Sequence, residues 1–275
     1  MLTPTPLNVS SGLISDCDLG KFPAGCLHGA IIYDPKGNVE KYAAIEPSFV
    51  QRVTEFMKKK NKTTMLYVAD WVAMASLEQG GKTDWEAVSR GFDPCVQDER
   101  SGDFIQRVLS GQEKIGKIFL PMDEEVVPEY LDLLRKEFPN DKFKTTRALP
   151  YIIEIVNEEV DKSAAMAYFC DKFNVKPENV MTFGDGENDV GMLTACGFGV
   201  SMGNAMAAPR NAAEYVPPLQ TRTQLQTTPT ATNPFCPSLS QLRHPDQQRG
   251  RSWSLPRPRL PPRRAHHHLG TLLDC

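Results

Sequence analysis

Val180-Met-Thr-Phe-Gly-Asp-Gly-Glu-Asn-Asp189-Val-Gly-Met-Leu193 compresses the end of a strand, a turn and the start of a helix into one short segment. The apolar run from Val180 to Phe183 stops at Gly184, Asp185 follows where the strand ends, and Asn188-Asp189 stand where a helix begins. Two carboxylates and an amide therefore converge at the carboxyl end of a strand. Hard oxygen ligands in a tight turn suit Mg2+, which is held by one or two carboxylates while keeping waters and substrate phosphate oxygens. Gly, Asp and Asn are also the ordinary residues of turns and helix caps, and Gly-Asp-Gly alone implies no more than that. An EF-hand loop fits badly, because the glycine and the distal glutamate fall at the wrong offsets from Asp185.

Working outward, the spacing predicts a helix from Asp161 through Asn174, the strand at 180–183, a helix after Asn188, a short strand at 199–202 and a helix near 205–215. Successive βα units of this kind make a parallel, doubly wound α/β core, whose sites lie at the carboxyl ends of strands. Lys162 opens the first of these helices, where a cation opposes the helix dipole, so a phosphate or carboxylate partner is expected. An exposed lysine in a first turn already eased by Asp161 is the simpler reading of that residue by itself. Before Asp161 the rhythm differs. Residues 30–34 and 39 onward read as a hairpin around Pro35-Lys-Gly37-Asn. Residues 46–60 form a helix with Phe49, Val50, Val53, Phe56 and Met57 on one face, and 65–69 form a strand. Further strands are expected at 114–120, 142–149 and 151–156, with a helix at 124–138; no element is assigned within 72–112. The irregular alternation predicts a mixed, partly antiparallel sheet with helices.

Lys162, Gly184-Asp-Gly-Glu-Asn-Asp189 and Gly197-Phe-Gly-Val-Ser-Met-Gly-Asn-Ala205 are together far more specific than any one of them. Residues 152–216 closely resemble the C-terminal core of Cof-type haloacid dehalogenase-like phosphatases. The resemblance implies that Lys162 steadies the nucleophile and the transferring phosphoryl group, that Asp185 and Asp189 bind or orient Mg2+, and that Asn188 lines the site. It also implies an α/β cap inserted ahead of Lys162, entered at His28-Gly-Ala30, where the family usually has Asn-Gly-Ala. The expected organisation is an irregular segment at 1–25, a cap at 26–156, the C-terminal part of the core at 157–216 and a disordered tail at 217–275. The expected substrate is a small phosphorylated metabolite, with sugar phosphates foremost.

The family mechanism begins with an Asp nucleophile in an Asp-x-Asp-x-Thr turn, which forms an aspartyl-phosphate, while the second Asp serves as general acid and base. Asp16-Cys-Asp18 has the spacing, but the run before it is short and polar and no Thr follows in place. About ten residues then separate it from Gly29, fewer than one βαβ crossover requires. Asp16 and Asp18 are therefore read as a loop pair, no nucleophile is assigned, and the chain is expected to be truncated at both ends. A non-catalytic pseudoenzyme or gene-model fragment that binds phosphate or a partner is the alternative. Apolar surface left open by the missing units is expected to make the chain poorly soluble.

Composition adds bounds. The 275 residues carry a formal net charge of −3. From Pro217 onward eight arginines face two acids, Asp246 and Asp274, giving the tail +6 and the remainder −9. There is no overall basic field for nucleic acid and no window near the roughly 20 apolar residues that span a bilayer. The N-terminus lacks signal-peptide character, so a soluble, cytoplasmic protein is the expectation. Seven cysteines without metal-type spacing fit reduced thiols. The Pro-rich tail, with Pro256-Arg-Pro-Arg-Leu-Pro261, reads first as a gene-model or splicing product. A ligand for an aromatic groove or a weak basic arm are the functional alternatives, with no partner assigned.

Overall fold

A computed structural model describes residues 2–3, 6–7, 18–93, 95–147 and 149–218. The unit Arg222–Cys275, and with it nearly all of the expected tail, lies outside the described residues.

Three sheets organise the described residues. The largest has six strands in the order β6-β5-β4-β7-β9-β8. They are β4 (Thr64–Tyr67), β5 (Val72–Ser76), β6 (Val96–Asp98), β7 (Lys117–Pro121), β8 (Phe143–Thr146) and β9 (Ile152–Asn157). Only β5 and β6 run parallel; the other neighbours are antiparallel, so the mixed sheet predicted from the sequence is present. Its strands alternate with period two, which sends Leu66, Ala73, Ile118, Leu120, Ile153 and Ile155 to one face. There they meet helices α1 (Pro47–Lys59), α3 (Asp103–Leu109) and α4 (Val127–Glu137) through Phe49, Val53, Met57, Phe104, Val108 and Leu134. Helix α1 begins where Glu46 Oε2 accepts from Phe49 N at 2.8 Å, with Pro47 in its first turn, and it ends in Lys58 and Lys59. Both ends thus suit the dipole.

The opposite face of the large sheet presents Met65, Tyr67, Val72, Met74, Phe119, Ile152 and Val156, together with the charged residues Lys117 and Glu154. Against it sit residues of an antiparallel three-stranded sheet, β1 (Ala24–Cys26), β2 (Ile31–Tyr33) and β3 (Val39–Tyr42). The β2–β3 hairpin closes on Asp34, whose Oδ1 accepts from the amides of Lys36 and Asn38, both at 2.8 Å.

From α5 (Lys162–Phe173) onward the predicted parallel rhythm appears. Strands β10 (Met181–Gly184) and β11 (Phe198–Ser201) pair in parallel, joined by α6 (Val190–Ala195) and followed by α7 (Ala207–Ala212). One side of this pair carries exposed apolar side chains. Met181, Phe183, Phe198, Phe173 and Val175 are exposed, and a cavity of about 460 Å3 lies among Leu2, Met166, Phe169, Phe173 and Met181. The exposed apolar surface expected from the sequence is therefore there.

The structure departs from the sequence reading in five places, one being that the strand expected at 142–149 ends at Thr146. The segment 1–25, expected to be irregular, holds ordered backbone: Leu2 bridges Gly25 in parallel and β1 starts at Ala24. The unassigned stretch 72–112 holds β5, α2 (Trp85–Phe92), β6 and α3. The strand expected at 114–120 begins at Lys117, because Ile115 turns to accept from the amide of Ile45 at 2.7 Å. The last helix spans Ala207–Ala212 rather than 205–215. Among the described residues no helix is long and apolar enough to cross a membrane.

Candidate active site

The site is built where α5 meets the turn after β10. Asp161 caps α5 through Oδ1, which accepts from Ala164 N at 2.8 Å, and this fixes Lys162 as the first helical residue. Its side chain turns inward rather than to solvent: Lys162 is 7% exposed, and Nζ lies 2.5 Å from Asp189 Oδ1. The partner that a cation at a helix N-terminus requires is thus a carboxylate of the chain itself.

Asp189 is 2% exposed and fully engaged. While Oδ1 meets Lys162, Oδ2 accepts from the backbone amides of Asp185 at 2.9 Å and Gly186 at 3.0 Å. The close wrapping of the turn depends on Gly184, where a Cβ would lie 2.4 Å from Asp189 Cβ. Asp185 projects from the same turn with an exposed side chain. Asn188 is half-buried, with Nδ2 3.1 Å from Nδ1 of His28. Glu187 is bound by Arg147 in two contacts, 2.6 and 3.3 Å. The structure therefore brings together all four residues singled out from the sequence, Lys162, Asp185, Asn188 and Asp189, on a helix start and one turn.

The candidate nucleophile pair fares differently. Asp16 lies outside the described residues. Asp18 is exposed at φ 52°, and its carboxylate pairs with Lys21 Nζ at 2.6 Å on the surface.

Behind Asn188 lies a polar row that sequence reasoning missed. His28 Nε2 is 3.1 Å from Glu154 Oε2, close enough for attraction but not aligned as a hydrogen bond, so neither atom has such a bond. Glu154 Oε1 accepts from Lys117 Nζ at 2.8 Å, Lys117 Nζ lies 4.1 Å from the centre of the Tyr67 ring, and the Tyr67 hydroxyl donates to Asp93. Burial pushes the His28 imidazole below its ordinary 6.5 despite the pull of Glu154. Burial also opposes ionisation of Glu154, but His28 and Lys117 outweigh it and hold the carboxyl below its usual range. Burial raises Asp93. A signal existed in the sequence: Lys117 and Glu154 are charges within the otherwise apolar strands Lys-Ile-Phe-Leu-Pro and Ile-Ile-Glu-Ile-Val.

A lowered histidine makes stability depend on pH in a defined direction. The unfolded chain takes up the proton near pH 6.5 and the folded chain only below that, so stability is present above 6.5 and is lost as pH falls from there. The expected slope is up to about 1.4 kcal/mol per pH unit. Asp93 and Glu113 are raised and act with the opposite sign. The difference between wild type and His28→Asn in urea melts at pH 5.5 and 7.5 isolates the histidine. Equal pH dependence in the two proteins would refute its burial as a neutral group.

Comparison with known proteins agrees with the fold. A family model of haloacid dehalogenase-like hydrolases matches residues 11–222, a span that includes Asp16 and Asp18. The chain belongs to this family. An uncharacterized hydrolase of Schizosaccharomyces pombe is 31% identical over 201 residues, 69% of this chain and 63% of its own length. The 5-amino-6-(5-phospho-D-ribitylamino)uracil phosphatase YcsE of Bacillus subtilis is 36% identical over 94 residues, 34% of this chain and 36% of its own. The chain thus spans less than two thirds of the length of these relatives. Among solved structures, TM0651 of Thermotoga maritima has a TM-score of 0.62 at 22% identity, covering 78% of this chain and 77% of its own. The subclass IIB sugar phosphatase BT4131 has a TM-score of 0.60 at 21% identity, with the same coverage. The fold is that of the Cof-type members of the family.

Proposed function

We propose that the turn 184–189 and Lys162 form the phosphate- and Mg2+-binding half of a phosphomonoesterase site for small phosphorylated metabolites, sugar phosphates foremost. The observation that carries this reading is the buried Lys162–Asp189 pair with the exposed Asp185 carboxylate beside it. Asp185 fits Mg2+ by its chemistry, an exposed hard carboxylate, while Asp189, whose oxygens are taken by Lys162 and two backbone amides, would orient the turn that holds the ion. When bound, Mg2+ supplies charge that stabilises phosphate oxygens. In this reading Lys162 steadies the phosphoryl group and Asn188 lines the site. Residues 26–156 act as the cap and 157–216 as the C-terminal part of the core, in a cytoplasmic protein. Hydrolysis through an aspartyl-phosphate needs a nucleophile, and none is assigned in this chain. The second reading is accordingly a non-catalytic chain that binds phosphate or a partner.

The test is titration of the full chain with Mg2+, alone and with inorganic phosphate, by calorimetry, alongside hydrolysis of a panel of sugar phosphates. Mg2+ binding that weakens roughly tenfold or more in Asp185→Asn is expected, since affinity follows the count of ligand charges. Absence of Mg2+ binding would overturn the site. Turnover that Asp16→Asn abolishes would overturn the non-catalytic reading and make Asp16 the nucleophile.

A further inference from the structure

Between β1 and β2 three successive residues lie in the left-handed region: Leu27 at φ 49°, His28 at 62° and Gly29 at 94°. Glycine takes such angles freely, whereas leucine and histidine do so at a cost. Strain of this kind persists where the surroundings over-determine it, and it concentrates at functional sites. What this turn achieves is the insertion of a 2% exposed imidazole between the motif turn and β9. Nδ1 stands 3.1 Å from Asn188 Nδ2 on the motif turn, and Nε2 stands 3.1 Å from Glu154 Oε2 on β9.

We propose that His28 is a positioning residue for Asn188, holding the Asn188 amide in one orientation while the charge of Glu154, anchored by Lys117, fixes which imidazole nitrogen carries the proton. The inference rests on the reading of Asn188 as a residue of the phosphate site. A neutral imidazole carries one N–H, and the carboxylate beside Nε2 favours its placement there. Nδ1 is then an acceptor, and the Asn188 amide N–H donates to it. The other end of the amide lies over Gly186, where a Cβ would come 2.7 Å from Asn188 Oδ1. Turning the amide over would set its oxygen against the Nδ1 lone pair. Lys117 anchors Glu154 from the far side at 2.8 Å, so the orientation of Asn188 is set by two strands of the large sheet. Arg147 holds the neighbouring Glu187 in the same way, which ties consecutive residues of the turn to the segment around β8 and β9.

Two substitutions separate positioning from packing. An asparagine at 28 offers its side-chain oxygen near the place of Nδ1 and tolerates left-handed backbone. A glutamine reaches the place of Nε2 instead. Side-chain amide resonances of Asn188 in the full chain, assigned by their loss in Asn188→Asp, give the readout by nuclear magnetic resonance. A downfield-shifted Asn188 amide proton is expected in wild type and in His28→Asn. Collapse to the free-amide position is expected in His28→Gln. If His28→Gln does not fold, Glu154→Gln, read in the same spectrum, is expected to move the signal toward the free position. A free-amide signal in wild type, equal spectra for His28→Asn and His28→Gln, or no change in Glu154→Gln would overturn the proposal. Hydrolysis has no part in this readout, so a chain without turnover would count against the phosphatase reading alone.

Discussion

Replacing Lys162 by methionine is expected to lower the unfolding free energy by about 3–5 kcal/mol, the usual cost of removing one partner from a buried ion pair. Asp189 would keep its carboxylate out of water with Oδ1 deprived of the ammonium now 2.5 Å away. The two backbone amides on Oδ2 would remain, but they cannot replace a full charge. Asp189→Asn is expected to cost a similar amount, because if its oxygen keeps the amides of Asp185 and Gly186 its NH2 faces the buried Lys162 ammonium, which is left unpaired. Urea melts at pH 7 measure both. A loss below about 1 kcal/mol for Lys162→Met would show that the pair is effectively solvated, as surface pairs are.

The second large effect is expected at Glu154, which is 1% exposed and lies between His28 and Lys117. Glu154→Leu deprives the buried Lys117 ammonium of its carboxylate, again at about 3–5 kcal/mol. Lys117→Met alone should cost a similar amount, by leaving Glu154 ionised beside a neutral histidine. The double variant, Lys117→Met with Glu154→Leu, is expected to return to within about 1 kcal/mol of wild type, because an apolar pair of similar volume replaces a desolvated one. If the double variant instead loses the sum of the two single losses, the charges act independently and the polar row is not a coupled unit.

Much of the core region could be read from residue pattern. Asp161 before an apolar-periodic run marks the start of α5, and Val180 to Gly184 followed by Asp and Asn marks a strand passing through a turn into a helix. These signals are local, and the structure places α5, β10 and the start of α6 within one or two residues of expectation. The clustering of Lys162 with Asp189 was expected only as a need for a partner; which carboxylate supplies it is set by the packing of α5 against the turn. The polar row was not legible for a different reason. Lys117 and Glu154 are far apart in sequence, and their meeting depends on β7 and β9 being neighbours in one register, with Phe119 opposite Glu154. Likewise the stretch 72–112 has short elements divided by glycines, and only their tertiary partners make them strands and helices. The left-handed turn at 27–29 places His28, and no propensity of leucine or histidine announces it.

A one-residue deletion inside β9 would turn Glu154 toward Phe49 and Met57 and set Ile153 and Ile155 among the charges, since neighbouring side chains point to opposite faces. The same holds for β7 and Lys117. Length can change instead at exposed turns such as residues 35–38 and 79–82, where added residues meet only solvent. Descendants of this chain are thus free to lengthen or shorten at those turns, whereas β7 and β9 can diverge only by exchanging one side chain for another in place.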